Sequence, residues 1–269
     1  SRHMIFTGNS GTGKTEVAKL TARIFREMGI LPEGHLVIAN KSQLVGKWKG
    51  WSGANTRAKI EEAMGGILFI DEAYLLVAKD KDRGDEFGEE VIGALIDEMD
   101  DKRDQFIVIM AGYKPDMERL LSTNQGLKSR VANFVDFPDY SADELYEIFE
   151  KFCADQEMIL SEGGKKAARL RISDIHANKG ENFGNAREIR NLLEECCANL
   201  GGRIGGRDNI ADHEFDTIIA SDFGDEYSGY DSEDEAMPWL YSEEEIERLE
   251  QEKAELEEEM RKLGRKPGR

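Results

Sequence analysis

The 269-residue chain carries 55 Asp or Glu against 36 Lys or Arg, and this balance of −19 at pH 7 excludes a general nucleic-acid surface, which needs clustered cations. Its length admits one mid-sized domain with an appendage, or two small domains. No apolar run reaches membrane-spanning length and no signal-peptide pattern opens the chain, so neither a membrane partner nor secretion is expected.

Up to about residue 140, short apolar runs alternate with helical stretches, the pattern of a parallel sheet covered on both faces. Strands are predicted near 3–7, 35–39, 66–71, 105–111 and 133–136. Helices are predicted near 14–28, 54–64, 86–100, 114–121 and 141–156, the last opened by a capping box of Ser141 and Glu144 after the break at Pro138. Further helices follow near 162–177 and 185–200, then a short helical segment near 211–220. The expected organisation is an α/β core over 1–140, a small helical lid over 141–223, an acidic linker over 224–238 and a charged helix over 239–269.

The tail differs in kind. From Gly224 onward it holds 16 Asp or Glu against 7 Lys or Arg, and its first part, Asp225 to Glu235, is expected to be disordered. Between Ser242 and Leu263, Ile246, Leu249, Leu256, Met260 and Leu263 follow a heptad spacing, with Lys253 at one inner position. That pattern fits a short coiled coil, a solvated single helix or a helix that folds on a partner. Cys153, Cys196 and Cys197 lack metal-ligand spacing and read as buried or free thiols in a reducing compartment, the cytoplasm or an organelle stroma. The four histidines are scattered, and nothing favours them as metal ligands.

Gly8-Asn9-Ser10-Gly11-Thr12-Gly13-Lys14-Thr15 fits the phosphate-cradling pattern G-x-x-x-x-G-K-[ST] without a gap. The motif lies between a strand end and a helix start, where backbone N–H groups converge and the helix dipole adds positive potential. Glycines let that backbone approach phosphate oxygens that a Cβ would obstruct. Lys14 supplies a point charge for the β- and γ-phosphates, and the Thr15 hydroxyl is a ligand for Mg²⁺. About 60 residues later, Gly66-Ile67-Leu68-Phe69-Ile70-Asp71-Glu72 reads as a central strand ending in two acids, where ligands of open α/β sheets bind. Asp71 is assigned to Mg²⁺, mainly through water, and Glu72 to positioning and polarising the attacking water. The fold class is therefore a P-loop NTPase with a doubly wound, parallel five-stranded sheet, and the reaction is ATP hydrolysis by positioning and electrostatics.

With these motifs and the helical lid, the chain resembles an AAA+ ATPase, closest to the CbbX and stage V sporulation protein K group that includes the red-type Rubisco activases. The likeness covers about residues 2–223. It rests on His3 to Thr15, Gly34-His35-Leu36, Leu44-Val45-Gly46, Ala63 to Tyr74, Ala111-Gly112-Tyr113, Ser129-Arg130 and Asp136-Phe137-Pro138-Asp139-Tyr140. From the residues alone, Arg130 reads equally well as a surface arginine before a strand. The resemblance matches it to the arginine finger that reaches a neighbouring subunit's γ-phosphate. Arg187, in Gly184-Asn185-Ala186-Arg187, matches the lid arginine that senses the γ-phosphate in cis. Tyr113 falls where relatives place a polar residue beside the attacking water, and reads equally as a packing aromatic.

Where relatives carry an aromatic–hydrophobic–glycine loop that grips polypeptide in a central pore, this chain has Trp48-Lys49-Gly50, followed by Trp51. An aromatic beside glycine can wedge against extended backbone, and Lys47 and Lys49 suit an acidic peptide tail. The competing reading is two tryptophans packed on a neighbouring helix. Residue 1 falls at the start of the first strand, so the helices that precede it in relatives and close over the adenine are expected to be absent. The chain is accordingly expected to be a fragment, a truncated sequence or one module of a longer protein.

The resemblance implies a homo-oligomer, hexameric by the family's habit, that uses ATP and Mg²⁺ to remodel a protein client. The alternatives are a nucleotide-switched scaffold that recruits partners through its tail, and a truncated module that binds nucleotide with little turnover.

Overall fold

The computed structural model describes residues 2–48, 50–77, 86–207 and 209–231. The charged helix and heptad pattern expected over 239–269 lie outside the described residues, as does Lys49. The chain opens with β1 (Met4–Gly8), α1 (Lys14–Glu27), β2 (Leu36–Ala39), α2 (Lys41–Leu44), α3 (Trp51–Glu62) and β3 (Ile67–Ile70). It continues with α4 (Glu86–Asp101), β4 (Ile107–Gly112), α5 (Lys114–Thr123), α6 (Gln125–Arg130), β5 (Asn133–Phe137) and α7 (Ala142–Asp155). Then come β6 (Ile159–Leu160), α8 (Glu162–Ala177), α9 (Ala186–Ile204) and β7 (Thr217–Ile218).

Five parallel strands pair in the order β2-β3-β4-β1-β5. β3 is buried along its whole length, which is why its sequence is an uninterrupted apolar run. Its side chains alternate between two cores. Leu68 and Ile70 join Ile5, Val108, Met110 and Leu95 on one face, while Ile67 and Phe69 join Phe6, Ala18, Ala22 and Ile109 against α1 on the other. Each fully buried large side chain contributes about 1.5–3 kcal/mol. The register places Ile5, Met110 and Ile70 in one row across three strands. Just past that row, the chain leaves β1 at Gly8 and β3 at Asp71, so the two sequence motifs emerge at the same edge of the sheet, on either side of β4.

Two compact units divide the described residues: one up to 149 with 174–191, the other over 150–173 with 192–231. The second unit contains a small parallel pair, β6 with β7, which is too short to give a periodic signal in sequence. Where a helical segment was expected near 211–220, a 3₁₀ turn over Asp212–Phe215 leads into β7 instead. Behind it, Arg203 forks onto the buried Asp222 carboxylate, with Nε–Oδ1 and Nη2–Oδ2 both 3.0 Å, and Ile219 N–H donates to the same group at 2.9 Å. The expectation of disorder from Asp225 fails for its first residues: Asp225–Tyr230 form a 3₁₀ helix, Tyr227 is buried, and Ser221 N–H donates to Asp231. Cys153, Cys196 and Cys197 are free thiols. Burial pushes Cys153 up to about 12 and raises the other two as well, so none is an activated nucleophile.

Candidate nucleotide site

The loop after β1 enters α1 through Gly13, a left-handed residue at φ 86°. Gly11 is left-handed too, at φ 72°, and a Cβ there would lie 2.0 Å from the Gly184 carbonyl oxygen and 2.9 Å from the Arg187 nitrogen. The loop therefore runs directly against the segment that opens α9, and Ala186 N–H donates to Gly11 O at 3.3 Å. Lys14 folds its ammonium back into the loop, donating to the carbonyls of Gly8 at 2.9 Å and Asn9 at 2.6 Å, with Thr12 Oγ1 at 3.4 Å. Burial holds the Lys14 pKa below its ordinary value; Asp71 opposes this shift and Arg187 adds to it. Both charges thus lie near enough to act on the same ammonium. Thr15 follows Lys14 in the first turn of α1.

Asp71 N–H donates to Ala39 O at 2.9 Å, extending the β2–β3 ladder by one residue, and its Oδ1 accepts from Glu72 N–H at 3.0 Å. Glu72 then takes a left-handed conformation, φ 50° and ψ 41°, which is uncommon for a residue with a side chain. The chain leaves the strand sharply, and the Glu72 carboxylate is exposed at the sheet edge. Tyr74, in the short 3₁₀ turn Ala73–Leu76, donates its hydroxyl to Glu72 Oε1 at 3.2 Å. Burial, then the negative charge of Glu72, pushes the Tyr74 phenol well above its usual range, so it stays a donor. Tyr113 packs against Tyr74, ring centroids 5.8 Å apart and tilted by 52°.

A buried amide joins the phosphate loop to α9. Asn185 is 0% exposed and left-handed at φ 49°, a conformation asparagine tolerates better than most residues. Its Oδ1 accepts from Tyr140 N–H at 3.0 Å. Its Nδ2 lies 2.8 Å from Asp139 Oδ1, 3.1 Å from Phe183 O and 3.3 Å from Ser10 O. Asp139 Oδ1 also accepts from Asn9 Nδ2 at 2.9 Å, and the Tyr140 hydroxyl donates to Thr12 O at 3.2 Å. Asp139, Tyr140 and Asn185 thus fix the backbone that carries Asn9, Ser10, Thr12 and Arg187. The sequence pattern singles out none of them for this task; an asparagine just before a helix, followed by an arginine, is the available signal.

Arg130, the last residue of α6, is engaged elsewhere. Its guanidinium forks onto Asp100 of α4, with Nε 2.8 Å from Oδ1 and Nη2 on Oδ2, while Nη1 donates to Gly126 O at 2.7 Å. Beside it, His3, Met99, Asp100, Arg103, Ser129 and Arg130 line a cavity of about 230 Å³. Trp48 and Trp51 are 68% and 57% exposed, which removes the reading of two tryptophans packed away on a helix. Trp51 opens α3, three residues earlier than expected. The amide of Gly50, at the helix start, is held by both carboxylate oxygens of Glu90 on α4, at 3.0 and 3.1 Å.

Against known proteins, residues 4–139 match the family model described as "ATPase family associated with various cellular activities (AAA)". The chain belongs to the AAA ATPase family. Residues 141–233 match the AAA lid domain. A protein CfxQ homolog of Galdieria sulphuraria is 40% identical over 226 residues, covering 82% of this chain and 72% of that protein. Stage V sporulation protein K of Bacillus subtilis is 39% identical over 223 residues, covering 82% and 68%. Within the family, the chain thus falls in the CbbX, CfxQ and stage V sporulation protein K group. Among solved structures, a RuvB mutant of Thermotoga maritima matches with TM-score 0.55 and 18% identity over 82% of this chain and 60% of its own, a likeness of fold. Among the described residues, no helix is long and apolar enough to cross a membrane.

Proposed function

We propose that this AAA protein binds MgATP on the loop Gly8 to Thr15, hydrolyses it at interfaces between its own copies, and uses the cycle to remodel a protein client. The observation that carries the reading is the Lys14 ammonium, ringed by the Gly8 and Asn9 carbonyl oxygens and sharing its field with Asp71 and Arg187. The residues present fit a triphosphate: a partly buried cation sits in a loop that opens α1, and the left-handed glycines of that loop carry no side chains to obstruct a phosphate. Mg²⁺ fits the same edge, where Thr15 and Asp71 would hold it, and it would neutralise charge on the β- and γ-oxygens. Glu72 orients water and accepts its proton. Arg187 contacts the γ-phosphate in cis. Arg130 leaves Asp100 to reach the nucleotide of an adjacent copy, since a guanidinium that forks onto a carboxylate forks equally well onto phosphate oxygens.

For the client, the exposed Trp48 and Trp51 beside Lys47 suit an extended acidic peptide gripped in the pore of a hexameric ring. The test is Glu72→Gln, which should keep MgATP bound, abolish steady-state hydrolysis and trap a client that wild type releases. Undiminished hydrolysis by this variant would refute the assignment of Glu72, and absence of MgATP binding by wild type would refute the function.

A further inference from the structure

Glu72 reaches its place by an unusual route. Its backbone is left-handed, so nothing in regular secondary structure aims its carboxylate, and the side chain stands in solvent. One neighbour reaches it from a packed position. Tyr74 is 8% exposed, and its ring fills a notch at the C-terminal end of β4: a Cβ on Gly112 would lie 2.6 Å from Tyr74 Cδ1 and 2.8 Å from Met117 Sδ. Tyr113 also packs on the ring, with centroids 5.8 Å apart, so the ring is held by more than one neighbour. Its hydroxyl then meets Glu72 Oε1 at 3.2 Å.

We infer that Tyr74 is the positioning residue for Glu72: packed on Gly112 and Tyr113, it holds one carboxylate oxygen by its hydroxyl and leaves the other to orient the attacking water. This inference rests on the reading of Glu72 as the water-orienting base, and it names the residue through which the fold controls that base. Glycine at 112 is part of the device, because any side chain there would displace the ring. The bond is longer than the 2.5–2.7 Å of strong O–H···O⁻ contacts, which sets the expected effect in the range of an ordinary hydrogen bond, below that of strong bonds to charged groups.

Tyr74→Phe keeps the ring and removes only the donor. It should lower kcat for ATP about three- to tenfold, with MgATP affinity by calorimetry and thermal midpoint unchanged. The decisive measurement is the double variant. Because Tyr74 acts through Glu72, adding Tyr74→Phe to Glu72→Gln should not slow the residual rate further, measured in single turnover. Equal slowing in both backgrounds, an unchanged kcat in Tyr74→Phe, or a kcat loss matched by lost nucleotide affinity would each overturn the inference while leaving ATP hydrolysis intact. Full activity in Glu72→Gln alone would instead remove the reading on which it rests, and the inference with it.

Discussion

Two glycines of the phosphate loop provide a controlled experiment on what the loop leans against. Gly11 and Gly13 share a left-handed backbone, so alanine at either position carries the same conformational cost of about 1–2 kcal/mol. Their surroundings differ. At Gly13 a Cβ would meet only the Tyr140 hydroxyl at 3.0 Å, the far end of a side chain, which needs to give by only a few tenths of an ångström. At Gly11 it would sit 2.0 Å from the Gly184 carbonyl oxygen, so reaching ordinary contact at 3.4 Å requires the two backbones to part by about 1.4 Å. That movement breaks the Ala186-to-Gly11 hydrogen bond and pulls on Asn185, adding about 2–3 kcal/mol. Gly13→Ala should therefore cost about 1–2 kcal/mol and Gly11→Ala about 3–5 kcal/mol in urea unfolding followed by circular dichroism. MgATP affinity of Gly11→Ala should also fall at least about tenfold in calorimetry, because the displaced loop backbone carries the amides that would meet the phosphates. Equal losses of stability in the two variants would refute the argument that the loop is braced by the start of α9.

Asn185→Ala should cost about 2–4 kcal/mol, since it strips the Tyr140 amide of its acceptor and puts alanine in a left-handed backbone; Asn185→Gly, free of the second penalty, should cost less. Arg130→Ala and Lys14→Ala should each be inactive alone, and their equimolar mixture should recover hydrolysis, because one supplies the intact site and the other the finger; a silent mixture would rule out action in trans. Burial lowers the His3 pKa from about 6.5 to about 4, and its Nδ1 accepts from Val108 N–H at 3.0 Å. The unfolded chain therefore binds the extra proton first, so stability is full above about pH 6.5 and is lost as pH falls toward 4. Moving from pH 7 to 5 should cost about 2 kcal/mol through this group, and His3→Gln should flatten that slope in urea titrations.

Most of the fold was legible because its signals are local. β3 announces itself as four apolar residues buried on both faces, and Ser141 and Glu144 form the reciprocal cap their spacing implies, at 2.8 and 3.2 Å. What escaped is either too short to repeat or decided by distant residues. α2 spans four residues and is held by an Asn40–Gln43 capping box. α3 begins at Trp51 in a glycine- and serine-containing stretch of low helix propensity, and the carboxylate that holds its first amide comes from Glu90, 40 residues away. The site divides the same way. A contiguous motif marks the loop after β1, and two acids after an apolar run mark the end of β3. The Asn185–Asp139 pair is 46 residues apart in sequence, and Tyr74 shows its relation to Glu72 only when a 3₁₀ turn and the bare end of β4 bring hydroxyl to carboxylate.

The two carboxylates on α4 have a mechanical meaning. Glu90 grips the start of the tryptophan segment and Asp100 grips Arg130, and about 15 Å of one stiff rod separates them. Such a rod cannot tilt at one end alone. Under the proposed trans contact, a phosphate of an adjoining copy that drew Arg130 away from Asp100 would release the restraint at that end, and the motion would pass along α4 to the tryptophan segment. Hydrolysis in one copy would thus be felt as a tug on the peptide held by the next.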